Sequence, residues 1–378
     1  MRVGDGRDFL LNADQRKPPV SLESKGPRLG DNRVGKLLRR VEGVVYWAAV
    51  APALGRLPTA LGYRIACWRG DCYFWCQARK RTELTRNLRL VLGSELRPAA
   101  AQRVARDWFR FASCRVVDVM LLRRGARPLR RLVEIRGREH LEAALAAGRG
   151  AIVCCGHFGS YDCGFSVLHA SGFPVTIIGR RSHAHAANRS SAQRWFWERV
   201  HTRPMQRYQQ RPYIEPGPDR FKVAARAAAV LRANEVVTIS IDAAPLDSDR
   251  ARAIEVPFLG HQARLLPGVV TLAQVTGAPV VMAFLYRSAD YRHQVWEISA
   301  PVPVEGDTAT ALGRCAAEVS AAIRRSPSHW EWWPGTDALV RLGLIRPQPD
   351  GSPAAGPALP PDGRFRHDGP TGSVPAQD

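Results

Sequence analysis

The stretch GAIVCCGHFGSYDCG, residues 150–164, decides how this chain is read. Its core, AIVCC at 151–155, is a short continuous apolar run, which predicts a strand buried on both faces. Gly156 lets the backbone turn sharply out of that strand, and Ser160 is a good N-cap for a helix that follows. His157 therefore projects from a strand-to-helix junction, and Asp162 stands five residues further on. On one continuous helix that spacing would rotate the two side chains apart by about 140°. With His157 ahead of the helix and Asp162 in its first turn, they can converge. A carboxylate on the far ring nitrogen would fix the tautomer and orientation of a general base, and such a base contributes on the order of 10²- to 10⁴-fold in rate. A histidine that merely caps a turn is the competing reading, and spacing alone leaves both open.

Outward from this point the chain alternates. LVEIRG precedes the helical REHLEAALAAG; PVTIIG, a long polar helical region, EVVTISID at 235–242 and APVVMAFLY at 278–286 follow. Uniformly apolar strands interleaved with helices predict an α/β fold, a central, largely parallel sheet flanked by helices on both faces. Reactive groups in such sheets collect where strands end and helices begin. The first third is helical instead: AQRVARDWFRFASCRVVDVMLL, residues 101–122, places Val104, Trp108, Phe111, Val119 and Leu122 near one stripe. One catalytic domain is expected over 34–345. Residues 1–33 mix charges with Gly and Pro, residues 346–378 are Pro-rich, and both are expected to be disordered tails.

Lys and Arg outnumber Asp and Glu by 55 to 34, a formal net charge of +21. That field favours anionic partners: nucleic acid, acidic carrier proteins, nucleotide-linked thioesters or an anionic membrane. The arginines are scattered in pairs such as Arg39–Arg40 and Arg180–Arg181, with no stacking motif, helix-turn-helix or zinc signature, so nucleic acid is not an expected partner. Coding bias alone could supply part of the excess. The eight cysteines include no CxxC pair, so a reduced, cytoplasmic setting is expected. Cys67, Cys72 and Cys76 read as small buried hydrophobes rather than metal ligands, and no metal is expected. No signal peptide opens the chain. GVVYWAAVAPALG, residues 43–55, is broken by Pro52 and falls short of the roughly 20 apolar residues of a spanning helix. With Lys36, Arg39 and Arg40 before it, residues 34–75 read as membrane-interface helices, an ordinary amphipathic core helix being the alternative.

The segment EIRGREHLEAALAAGRGAIVCCGHFGSYD, with VPFLG at 256–260, TLAQVTGAPVVMAF at 271–284 and RTELTRNLRLVLG at 81–93, resembles the bacterial lipid A lauroyl/myristoyl acyltransferases, glycerolipid acyltransferase-like in fold, and their relatives the phosphatidylinositol mannoside acyltransferases. The resemblance covers about residues 34–340. It implies transfer of a fatty acyl group from a thioester, acyl-CoA or acyl carrier protein, to a hydroxyl of a lipid or glycolipid at the cytoplasmic face of a membrane. No cofactor beyond that co-substrate is implied. His157 would be the base and Asp162 its orienting acid. Arg180, Asn188 and Arg199 fall where the family shows Arg and Asn for phosphate or oxyanion; Asp242 matches a strand-end Asp; Val256, Phe258 and Gly260 lie in the block that helps form the acyl groove. The bland readings are solvated charge for Arg180, a cap for Asp242 and plain turn chemistry for Gly260.

The chain also departs from that pattern. Asp162 stands where lipid A members usually carry Glu and the mannoside members Asp, so in motif the chain resembles the latter more closely, and Ala243 follows Asp242 where Gln is common. SPSHWEWW, residues 326–333, keeps the tryptophan-rich close without the arginines that usually follow. A full N-terminal membrane helix is missing. A specialised-metabolite acceptor such as a peptide or glycoside, and an inactive membrane scaffold, are therefore the alternatives to a lipid acylation enzyme.

Overall fold

The structure is a computed structural model that describes residues 45–179 except 94, 95 and 123, then 195, 198, 199, 203, 213–216, 219–348 and 353–356. The tail expected over 1–33 and most of that expected over 346–378 lie outside the described residues. The apolar segment near 43–55 contributes short helical turns, Tyr46–Val50 and Ala51–Leu54. Three helices follow: α1 (Thr59–Cys76), α2 (Ala78–Leu92) and the long α3 (Pro98–Leu122). Helices α1 and α3 cross so closely that a Cβ on Gly70 would stand 2.5 Å from the Arg110 Cα. Cys67 and Cys114 meet across this crossing with sulfurs 3.5 Å apart. The expectation that Cys67, Cys72 and Cys76 are buried is corrected, since Cys67 and Cys72 are half-buried and Cys76 exposed. Inward, α1 buries Tyr63, Ala66 and Phe74. Outward, Leu61, Trp68 and Trp75 repeat at seven-residue spacing, 43%, 68% and 65% exposed. No helix among the described residues is long and apolar enough to cross a membrane.

The sheet begins after α4 (Ala126–Leu132) with β1 (Val133–Arg136), followed by α5 (Arg138–Ala146), β2 (Ala151–Cys155), α6 (Tyr161–Ala170) and β3 (Val175–Ile177). It resumes with α7 (Arg220–Arg232) and β4 (Val236–Ser240), a hairpin of β5 (Ile254–Phe258) and β6 (His261–Leu265), then α8 (Gly268–Thr276), β7 (Val280–Arg287), β8 (Gln294–Val302) and α9 (Thr308–Arg325). The order across the sheet is β1-β8-β7-β2-β4-β3. Strands β7, β2, β4 and β3 run parallel; β8 turns back antiparallel to β7 and takes β1 with it. The fold is thus mixed α/β, mostly parallel, with one reversal. That reversal follows from the tight turn at 288–293, where Ser288 and His293 pair through their backbones.

Strand β2 explains its own composition. Ile152 and Cys154 pack into the core on one face of the sheet, Ala151, Val153 and Cys155 into the core on the other. Strand β7 divides the same way, Val280, Met282 and Phe284 against Val281, Ala283 and Leu285. With both faces covered there is no polar face to alternate with, so the runs read as uninterrupted apolar sequence. Beyond α9 come α10 (Thr336–Arg341) and the antiparallel pair β9 (Ile345–Pro347) and β10 (Pro353–Ala355). That pair extends structure past the boundary expected at 345.

Candidate active site

His157 sits two residues beyond Cys155 on β2, and Asp242 two residues beyond Ser240 on β4. Cys155 and Ser240 are register partners in the parallel pair β2/β4, so the two side chains leave the sheet edge level with each other. Asp242 is fully buried, and both its oxygens accept the His157 backbone N–H at 2.9 Å. Its Oδ1 lies 2.7 Å from His157 Nδ1, and its Oδ2 accepts the Trp330 indole N–H at 2.7 Å. A carboxylate at Nδ1 selects the Nδ1–H tautomer, which leaves the Nε2 lone pair for a substrate proton. A side chain at position 156 would press on Asp242 Oδ2 at 3.0 Å, so Gly156 is needed for room.

The carboxylate on Nδ1 is therefore Asp242, a correction to the expectation that Asp162 orients the ring. Asp162 is in the first turn of α6, as expected, but it pairs with Arg115 of α3 at 3.5 Å. Arg115 also pairs with Glu331 and lies 5.4 Å over the Tyr161 ring. This acid-cation-acid cluster adjoins the histidine through Tyr161 and the Glu331 backbone, and Asp242 holds the histidine Nδ1.

The tryptophan-rich segment closes the site. Phe158 forms an antiparallel bridge with Trp330, Gly159 donates to the His329 carbonyl at 2.9 Å, and Glu331 donates to the His157 carbonyl at 3.0 Å. Gly159 holds φ +71° to make this turn, a conformation that excludes most other residues. The Trp332 ring lies 4.8 Å from the His157 ring, and Tyr161 5.8 Å on an edge-to-face contact. The Trp332 indole N–H is buried with no hydrogen-bond partner among the described residues.

A second buried anchor holds the far end of the loop. Asp118 of α3 accepts from Ser160, pairs with Arg287, and takes Tyr63 at 2.6 Å and Gln294 at 3.1 Å. His329 accepts the Arg287 backbone N–H through Nε2 at 3.2 Å; burial, with the Arg287 charge adding to it, pushes its pKa down to about 3.

Of the remaining expected site residues, Val256 and Phe258 are fully buried in β5, and Phe258 reaches the Trp330 ring at 6.0 Å. Gly260 makes the β5–β6 turn at φ +86°. Arg199 is exposed over Trp195 at 5.5 Å. Arg180 and Asn188 lie outside the described residues. Sequence reasoning missed Arg115, Asp118, Arg287 and the contacts of Trp330 and Trp332. Asp118 did carry a signal: it is a lone acid inside the apolar run RVVDVMLL.

Among comparisons with known proteins, a model of the bacterial lipid A biosynthesis acyltransferases matches residues 36–334. A search of curated proteins finds no match.

Proposed function

This chain belongs to the bacterial lipid A biosynthesis acyltransferase family, an acyltransferase acting on a lipid, and we propose that it moves a fatty acyl group from an acyl-CoA or acyl carrier protein thioester to a hydroxyl of a lipid or glycolipid. His157 Nε2 takes the hydroxyl proton as the oxygen attacks the thioester carbonyl. The carbon–sulfur bond then breaks, and His157 gives that proton to the departing sulfur, so the products are an ester and a free thiol and the histidine is neutral again. The observation that carries this reading is the 2.7 Å contact between His157 Nδ1 and buried Asp242. It holds the ring in the tautomer a base requires.

A thioester is already activated, so a base, oxyanion donors and a water-poor groove suffice for the chemistry. The Trp332 ring lies 4.8 Å from the His157 ring, and its indole N–H, unpaired among the described residues, supports Trp332 as a donor to the developing oxyanion. Asp162 and Glu331 hold Arg115 as a positioning residue, and Arg180 remains the candidate for phosphate or oxyanion contact. The outward stripe of Leu61, Trp68 and Trp75, bordered by Arg64 and Arg79, supports attachment in the interface of an anionic membrane without spanning it.

Thiol release from both donor types, with a membrane lipid extract as acceptor, tests the reading. Acceptor-dependent release that collapses in His157→Ala, with the fold intact by circular dichroism, is the expected result. Undiminished release in that variant would refute the mechanism, and mass spectrometry of the product would identify the acceptor.

A further inference from the structure

Away from His157, at the corner where α2 gives way to α3, lies a cavity of about 790 Å³. Arg81, Arg86, Arg89, Arg97, Thr85 and Gln102 line it, and no carboxylate is among its described lining residues. Two of the four cations have local acceptors. Arg81 donates to the Phe74 and Trp75 carbonyls at 2.9 and 3.3 Å, and Arg86 to the Thr336 hydroxyl at 3.4 Å. The guanidinium groups of Arg89 and Arg97 have no ion-pair partner among the described residues. Thr85 buries its hydroxyl with no hydrogen-bond partner. Four like charges around one cavity repel one another, and a bound anion would relieve that repulsion.

We propose that this cavity binds the phosphate of an anionic phospholipid headgroup, separate from the reacting substrates. Guanidinium forks match phosphate oxygens two at a time, and Leu90, Leu96 and Pro98 supply apolar wall for the carbons next to the phosphate. Position selects a lipid over a soluble phosphate. Arg81 caps the end of α1 at Trp75, the last exposed aromatic of the outward stripe, so the cavity opens beside the surface read above as membrane-facing; the proposal rests on that reading. The site is also coupled to the catalytic turn. Asn87, next to Arg86, donates to the Trp333 carbonyl at 2.9 Å and to Thr336 at 3.1 Å, so a headgroup at Arg86 would brace the segment that carries Trp332 to His157.

The test is co-sedimentation of the full chain with neutral phosphatidylcholine vesicles and with vesicles containing phosphatidylglycerol, at low salt. Wild type should prefer the anionic vesicles by roughly 20-fold or more, and the preference should fade as salt rises. Arg89→Gln with Arg97→Gln should remove most of that preference while leaving the neutral-vesicle binding unchanged. Trp68→Ser with Trp75→Ser should weaken binding to both vesicle types. Inorganic phosphate and glycerol phosphate, titrated calorimetrically, separate a soluble source from a lipid. Saturable binding of either, lost in the arginine variant and unaccompanied by vesicle preference, would overturn the lipid assignment. A double arginine variant that keeps the wild-type preference would overturn the site itself. Absence of vesicle binding in every form would refute the membrane reading and the proposal with it. No acyl transfer enters these readouts, so failure of the catalytic mechanism would show only in His157→Ala activity.

Discussion

Asp242 and Asp162 carry the same carboxyl group and face different partners, Asp242 the His157 ring at 2.7 Å and Asp162 the Arg115 guanidinium at 3.5 Å. The mechanism therefore expects unequal losses. Asp242→Asn should lower kcat/KM by about 10²- to 10⁴-fold, because an amide can present its N–H to Nδ1 and favour the wrong tautomer. Asp162→Asn should lose less, with the acid limb of the pH-rate profile in place. Steady-state rates across pH check both; equal collapse of the two variants, or a larger loss at Asp162, would reverse the assignment. His329 gives a prediction about stability. Its folded pKa of about 3 lies below the ordinary 6.5, so the unfolded chain binds more protons as pH falls. The stability it contributes is full above about pH 6.5 and is lost progressively toward pH 3, by about 2 kcal/mol at pH 5. Phe111 and Phe158 cover its ring, and Ser328 and Arg287 are its polar neighbours. His329→Gln keeps an acceptor for the Arg287 N–H, and chemical denaturation of this variant should show a flatter slope between pH 6.5 and 4.

At the scale of elements, the loop 156–160 is held because its two ends meet different layers. The sheet edge and Trp330 fix one end through Asp242, and α3 fixes the other through Asp118 and Ser160. Helix α6 can then lie directly on β8, where Gly164 packs against the Trp296 ring with no space for a Cβ. Gly164→Ala should destabilise by about 1–3 kcal/mol through overpacking, despite alanine's better helix propensity. Thermal melting measures this, and Trp296→Phe in the same chain should recover part of the loss. An unchanged melting temperature would mean that α6 can move off β8 at no cost.

Across the whole molecule, the buried pair Asp118–Arg287 joins the N-terminal helical layer to the sheet, with Tyr63 of α1, Ser160 ahead of α6 and Gln294 of β8 gathered on one carboxylate. Removing one charge strands the other in the core. Asp118→Asn should cost about 3–5 kcal/mol, whereas replacing the pair by apolar residues of similar volume should cost much less. Denaturant titration of Asp118→Asn, Arg287→Met and the Asp118→Leu/Arg287→Met double variant measures the difference as a coupling. Additive losses would mean that the two side chains are not acting as a pair. The same anchor ties the buried face of α1, through Tyr63, to the loop that carries His157.

Much of this was legible in the chain itself. AIVCC, PVTIIG, EVVTISID and APVVMAFLY gave strands because a sheet covered on both faces needs apolar side chains at every position, and Ser160 marked the start of α6. His157 stood out because a polar ring directly follows such a run. Its partner was not legible. Asp242 lies 85 residues from His157, and what brings it level is the register of two parallel strands, which backbone pairing sets and no local spacing records. Asp162 was nearer in sequence, and proximity along the chain is a weak guide where the backbone turns out of a strand. The β7–β8 reversal was hidden for a related reason, since strand direction depends on how a turn closes. The sequence alone determined the elements, the apolar core and the place of His157 at a strand end, through local period and composition. Only the tertiary structure decided which carboxylate meets that histidine and which arginines share a cavity, because those contacts come from register and packing between distant segments.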